Sequence, residues 1–328
     1  MKKINIEKSV KLKDLSFVEP PEDILLTNND DIIELIINMK LSKELLKFYK
    51  VLVTNFDSKD LNTYYHNIRS LRIKEFNFDK LRKKSKREVL AFYKHADNTI
   101  YIPDFYEINS IYHELFHMSS SKRIKNNYFS GFHMFDLENI KSYAEGINEG
   151  YTQLLSERYF DDALKDSYKY FAYVMKLIEE IIGKNIMESL YMKSSLYGLI
   201  DELKKYSSYE DIKRFITYMD YLIINIYDTK SSNKKISLMG EMIKYINMFI
   251  ISLCINKWKL NPPCDEEGYK YMAENIEYFL NQTVTKIYIS NKLIDCSLSS
   301  DEEYMEDLIF NLNDLDIDLN TKDEKKLV

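Results

Sequence analysis

The chain has 328 residues, 45% hydrophobic and 30% charged, with a formal net charge of -6. That length supports one large unit or two packed subdomains around a substantial core. The acidic balance leaves no basic surplus for a phosphate backbone and argues against nucleic acid as the main partner. With 27 Tyr but only 7 Gly and 5 Pro, disorder and a turn-rich all-β fold are disfavoured and a mostly helical chain is expected.

Residues 1 to about 30 are polar, carry Pro20-Pro21 and read as an extended lead-in. No apolar h-region follows the basic start, so no secretory signal is expected. From Asp31 to about Arg72 the apolar residues recur at helix spacing: Ile32, Ile33, Leu35, Ile36 and Met39, then Leu41, Leu45 and Tyr49. The basic stretch Lys80 to Arg87 reads as a solvated face. From Glu88 to Ile102 the period changes. Val89 to Tyr93 and Thr99 to Ile102 read as two strands of a hairpin, with His95-Ala96-Asp97-Asn98 as the turn. Asp104 and Glu107 form a candidate capping box. The helix after them would place Ile108, Ile111, Tyr112, Leu115 and Phe116 on one apolar stripe.

Ser119 to about Ser142 reads as a loop, and Tyr143 to Tyr159 as a second helix with Ile147, Tyr151, Leu154 and Leu155 on its inner face. The rest is helical. Phe171, Val174, Met175, Ile178 and Ile182 form one stripe, which Gly183 would end. Ser207-x-x-Glu210 would start another helix. Long apolar-periodic segments run from Ser237 to Trp258 and from Glu266 to about Tyr288. The apolar run Met248 to Ile255 is far short of a membrane span and reads as a buried helix. The end, from Ser299, is acidic and expected to fray. Cys254, Cys264 and Cys296 fit neither a disulfide framework nor a C-x-x-C metal site. Reduced thiols, and a cytoplasmic protein that does not engage a membrane, are expected.

Residues 113 to 117 read His-Glu-Leu-Phe-His, an H-E-x-x-H pattern on a predicted helix. Positions i and i+4 share a helix face, so two imidazoles can reach one tetrahedral ion. Glu114 lies about 100° further round the axis. It can meet a water on that ion without becoming a ligand. The bland alternative is a pair of half-buried histidines bonded to their neighbours. A catalytic zinc also needs a third protein ligand and an open position. The second helix offers Glu145 and Glu149, and either could reach the ion. Gly146 and Gly150, spaced i, i+4, each cost about 1 kcal/mol relative to Ala. They suggest close approach of helices, or, for Gly146, the helix start.

HELFH followed by INEGYTQLL resembles the gluzincin clan of zinc peptidases, which includes thermolysin-like enzymes. The N-E-G-x-T form is similar to small bacterial gluzincin-like proteins. The resemblance covers about residues 88 to 160. It implies zinc held by His113, His117 and Glu149, with Glu145 as runner-up, and Glu114 as general base. Two features depart from the pattern. Thermolysin-like enzymes have an Asp four residues after the ligand Glu, where this chain has Gln153, whose amide oxygen can accept an imidazole N–H but carries no charge. The gap from His117 to Glu149 is also longer.

The implied activity is hydrolysis of a peptide or protein substrate. Thr99 to Ile102 could receive an extended peptide by β-augmentation. His133, Tyr191 and Tyr197 are candidates to stabilise the oxyanion. His133 as a fourth ligand would instead make the site structural. His66 and His95 read as ordinary surface or turn histidines. Alternatives are a narrow-specificity regulatory protease of the kind that cleaves phage repressors, and a helical interaction protein with a vestigial metal site. The expected fold is α+β and predominantly α-helical, with a small β-hairpin or sheet packed on the metal-motif helix and a helical C-terminal subdomain. The expected divisions are 1–30 as lead-in, 31–160 as zincin-like catalytic subdomain, 161–298 as helical subdomain and 299–328 as acidic tail.

Overall fold

The computed structural model describes residues 29–77, 91–104, 111–160, 168–226, 231–289 and 292–298. The expectations placed on 1–28, on Val89 and Leu90, on Glu107 and Ile108, and on the acidic tail lie outside them. Within the described residues the fold is α+β and predominantly helical, with eleven α-helices and nine short strands. By contacts the chain divides into two compact units, one formed by residues up to 204 with 212–224, the other by 205–211 with 225 onward.

The first unit begins with α1 (Asn29–Ile37), α2 (Ser42–Asn55) and α3 (Asn62–Ile68). Ile32, Ile36, Leu45, Tyr49 and Leu52 are buried, which bears out the helical period there. A three-stranded sheet follows in the order β1 (Arg72–Phe76), β3 (Thr99–Pro103), β2 (Phe92–Lys94). β2 and β3 form the expected antiparallel hairpin, turning through a 3₁₀ segment, His95–Asp97, and a left-handed Asn98. β1 runs parallel to β3, from Arg72↔Thr99 to Phe76↔Pro103. β3 is therefore the central strand, which overturns the expectation that it could receive a substrate strand. Both of its edges are filled.

α4 (Ile111–Ser120) carries the H-E-x-x-H residues and packs on β2 and β3. Ile111, Tyr112, Leu115 and Phe116 are buried as the period requires. Tyr112 stacks on Phe160 at 3.9 Å between ring centroids, and Phe48 meets Phe116 edge-on at 5.0 Å. The stretch expected as a loop is instead a four-stranded antiparallel meander, β4 (Lys122–Ile124), β5 (Asn127–Ser130), β6 (His133–Asp136) and β7 (Lys141–Tyr143). Strands of three or four residues are too short to display a period of two. Two of their turns pass through left-handed Lys125 and Ile140, which carry no Gly or Pro signal.

α5 (Glu145–Tyr159) is the second motif helix, with Ile147, Tyr151 and Leu155 buried. α6 (Lys169–Ile182), α7 (Lys184–Met192), α8 (Leu196–Lys204) and α9 (Tyr209–Asn225) follow. The predicted stripe from Phe171 to Ile182 is buried, and Gly183 closes α6 at φ 111. Ser208, not Ser207, caps α9, accepting from the Asp211 N–H at 3.2 Å. The two glycines of α5 do permit close approach, but not to α4. A Cβ on Gly150 would lie 2.5 Å from the Phe171 carbonyl oxygen of α6, and one on Gly146 would strike the Met219 backbone of α9.

The second unit holds α10 (Asn233–Leu260), α11 (Glu266–Asn281) and a hairpin of β8 (Lys286–Ile289) with β9 (Lys292–Asp295). Tyr288, expected at the end of a helix, lies in β8. The β-branched run Thr283, Val284 and Thr285 favours extended backbone and ends the helix before it. Among the described residues α10 alone is long and apolar enough to cross a membrane by composition, but 67% of its apolar window is buried inside the protein, as in a core helix.

Candidate metal centre

α4 is ten residues long, too short to persist alone. Its last turn would leave carbonyl groups without partners. Neighbouring side chains take them up. Asn67 of α3 donates its Nδ2 to the carbonyl oxygens of Met118 at 2.8 Å and Ser121 at 2.7 Å. Ser130 of β5 donates to His117 O at 3.0 Å, and Ser194 donates to Ser120 O. Asn98 in turn holds the Asn67 carbonyl at 2.7 Å and accepts from the Tyr93 hydroxyl at 2.9 Å. The helix with both histidines is thus fixed by α3, the hairpin and the meander.

Beside it, α5 presents Glu149. His113 Nε2 lies 3.0 Å from Glu149 Oε2, His117 Nε2 lies 3.3 Å from Glu149 Oε1, and the two Nε2 atoms are 3.0 Å apart. One ligand atom from each residue falls within 4.8 Å of the others, so the three could hold a metal ion. Ligands at about 2.0–2.1 Å from a tetrahedral zinc lie roughly 3.3–3.4 Å from one another. The observed spacings are within a few tenths of an ångström of that, and two imidazoles with one carboxylate are zinc's ordinary donors. Glu145 is elsewhere, at the start of α5, where its Oε2 accepts from Ser142 at 3.4 Å.

Electrostatics bind the group together. Burial alone would raise the Glu149 carboxyl, but His117 and His113 hold it well below the usual carboxylate range. Burial alone would lower the His117 imidazole, but Glu149 brings it above its ordinary value. Glu114 does not touch the triad's ligand atoms. Its Oε2 accepts the backbone N–H of Tyr93 in β2 at 2.7 Å, and burial raises its carboxyl. Such a shift moves a carboxylate toward the range a general base needs.

Beside His133, already a candidate from the sequence, two neighbours escaped the sequence reading, His95 and Tyr168. His95, expected as an ordinary surface or turn histidine, lies in the turn but is half-buried, donates or accepts at Ser121 Oγ over 2.9 Å, and lies 6.3 Å from His133 between ring centroids. Burial and the nearby imidazoles push it down to about 3. Burial, opposed by Glu149, brings His133 down to about 4. The Tyr168 ring stacks on His113 at 5.7 Å. A turn sequence gives no sign of what its histidine faces, so only the fold brings His95 here. Gln153 donates to Glu157 at 2.8 Å, while the side chain beside His117 Nδ1 is Asn148, at 3.4 Å. Tyr191 is buried and bonded to Thr152 at 2.7 Å, and Tyr197 is exposed. His66 sits on α3 outside the group. Compared with protein-family models, with curated proteins and with solved structures, the chain finds no match in any of the three.

Proposed function

We propose that the chain is a cytoplasmic zinc-dependent peptidase, with His113, His117 and Glu149 as metal ligands and Glu114 as general base. The observation that carries this reading is the convergence of two imidazole Nε2 atoms and one carboxylate within 3.0–3.3 Å, with an acid of raised pKa on the same helix. A zinc ion held there would supply a Lewis acid and bring the pKa of a bound water toward about 7. Glu114 takes a proton from the attacking water on its carboxylate and passes it to the leaving amine nitrogen. We assign to His133 the hydrogen bond to the carbonyl oxygen as it gains charge, ahead of buried Tyr191 and exposed Tyr197; burial keeps its imidazole neutral and Ser142 Oγ lies 2.7 Å from its Nε2. An extended peptide would add at β2, which has no second partner strand among the described residues and whose Tyr93 N–H already points at Glu114. Free Cys254, Cys264 and Cys296 suit a reducing compartment.

Metal content tests this directly. Purified protein incubated with zinc and desalted is expected to hold one ion per chain, and His113→Ala to hold none. Chelation should lower the melting temperature, because an ion that binds only the folded state stabilises it. Wild-type protein that emerges empty sinks the reading. Casein or a peptide mixture then serves as substrate. His133→Ala should keep its zinc while kcat falls by about 10²–10³-fold, the usual loss for one oxyanion donor. An unchanged kcat removes His133 from the mechanism.

A further inference from the structure

α5 begins without a cap of its own. Ala144, the residue before its first turn, sits in the left-handed region at φ 62 and has no side-chain oxygen to accept from the orphan N–H groups. A Ser, Thr, Asp or Asn in extended conformation would normally do this locally. The acceptor comes instead from Asp220 on α9, 76 residues later in the chain. Its Oδ2 accepts from the Ala144 N–H and its Oδ1 from the Gly146 N–H, both at 2.8 Å. The Glu145 N–H also bonds to this carboxylate. Gly146 makes the reach possible, because any side chain there would collide with the Met219 backbone, one residue before Asp220.

We propose that Asp220 is a positioning residue of the candidate metal centre: its forked grip on the first turn of α5 sets where Glu149 stands relative to His113 and His117. The inference rests on the metal-site reading above. Glu149 lies three residues beyond Gly146, within one turn of the held backbone. A carboxylate that uses both oxygens on N–H groups two residues apart fixes translation along the helix axis and rotation about it. Rotation matters because each residue advances the helix by about 100°. A small turn of α5 therefore swings the Glu149 carboxylate away from two imidazoles only 3.0–3.3 Å distant.

The acid is an expensive choice for a cap. Burial, opposed by the backbone N–H groups and reinforced by Glu145, pushes its carboxyl up to about 7. Perturbed acids of this kind concentrate at functional sites. The helix N-terminus supplies favourable partial charge, but that is available to a local cap as well. What the remote acid adds is a fixed relation between α5 and α9.

The test uses the full chain with Asp220→Asn and Asp220→Ala, beside Ile36→Val, a core change in α1 remote in sequence from the centre. Zinc affinity is measured by competition with a chromophoric chelator, at a temperature where circular dichroism finds every variant fully folded. Asp220→Ala should bind zinc at least about 10-fold more weakly, the scale seen when support of a ligand is lost. Asp220→Asn, which keeps one acceptor, should fall between it and wild type, and Ile36→Val should match wild type. The visible spectrum of the cobalt-substituted protein should change in Asp220→Ala and not in Ile36→Val. Amide exchange without metal should quicken at residues 145–150 in Asp220→Ala and stay unchanged at 111–120. Affinities within twofold of wild type in both Asp220 variants overturn the proposal. If wild-type protein itself takes up no zinc or cobalt, the metal reading fails on its own account. Exchange then decides the tether, and unaltered exchange at 145–150 overturns it. Asp220→Asn, close in size and shape, carries the test should Asp220→Ala not fold.

Discussion

Glu114→Gln is expected to keep its zinc and lose peptide hydrolysis by about 10²–10⁴-fold, the usual worth of general acid–base help. The substitution preserves shape and leaves the hydrogen bond from the Tyr93 N–H possible through the amide oxygen. It removes the only acid of α4, and with it the proposed carrier of the water's proton to the leaving amine. Glu149→Gln should behave differently. An amide is a poor substitute for a carboxylate on zinc, and the ion pairs to His113 and His117 vanish with the charge. Metal should be lost first and activity with it. Glu145→Gln should change neither, since Glu145 faces Ser142 at the helix start. Zinc stoichiometry and peptidase rate on the three purified variants separate these outcomes. Full activity in Glu114→Gln would falsify the proposed base.

Arg158→Ala should cost about 3–5 kcal/mol of stability, the range for breaking a buried ion pair from one side. Arg158 closes α5 onto its neighbours. Its Nη1 donates to Glu179 Oε2 of α6 at 3.0 Å and to Glu188 Oε1 of α7 at 2.8 Å, and its Nη2 to Glu179 Oε1. Both carboxylates are buried, at 5% and 4% exposure. Tyr151 and Tyr159 donate to the same two acids at 2.5 and 2.7 Å. Without the guanidinium, the two acids keep only the hydroxyl donors and, for Glu188, the Lys184 ammonium at 3.9 Å. Arg158→Lys should recover part of the loss, because one ammonium cannot reproduce the fork. Urea unfolding measures the difference. A loss under about 1 kcal/mol would place this network with weak surface pairs.

Much of this was legible in the sequence where a long period carried it. The stripe of α4, the stripe of α6 and the i, i+4 placement of His113 and His117 all follow from 3.6-residue spacing, and each is observed. Glu149 and Glu145 were not separable by spacing alone. Resemblance to a family favoured Glu149, and packing of α5 against α4 brings it to the imidazoles. What stayed hidden depended on contacts far apart in the chain. His95 reaches the centre through the hairpin turn, and Asn67 finds the end of α4 from 51 residues away. The meander was missed because its strands are no longer than four residues.

The capping of α4 by Asn67 has a consequence for how the protein assembles. A ten-residue helix does not persist in isolation, and its carbonyl end is completed only when α3 has docked. The contacts that build the centre span 21 residues from Tyr93 to Glu114, 36 from His113 to Glu149 and 51 from Asn67 to Met118. Closing such loops is entropically slow compared with forming local helices. The stretch from 88 to 160 contains every proposed ligand and the proposed base, yet these contacts argue against its being a transferable cassette. Grafted into another scaffold or emerging alone from a ribosome, it would have the residues without the geometry. On the proposed reading, metal capture would be a late event that reports completion of the first unit.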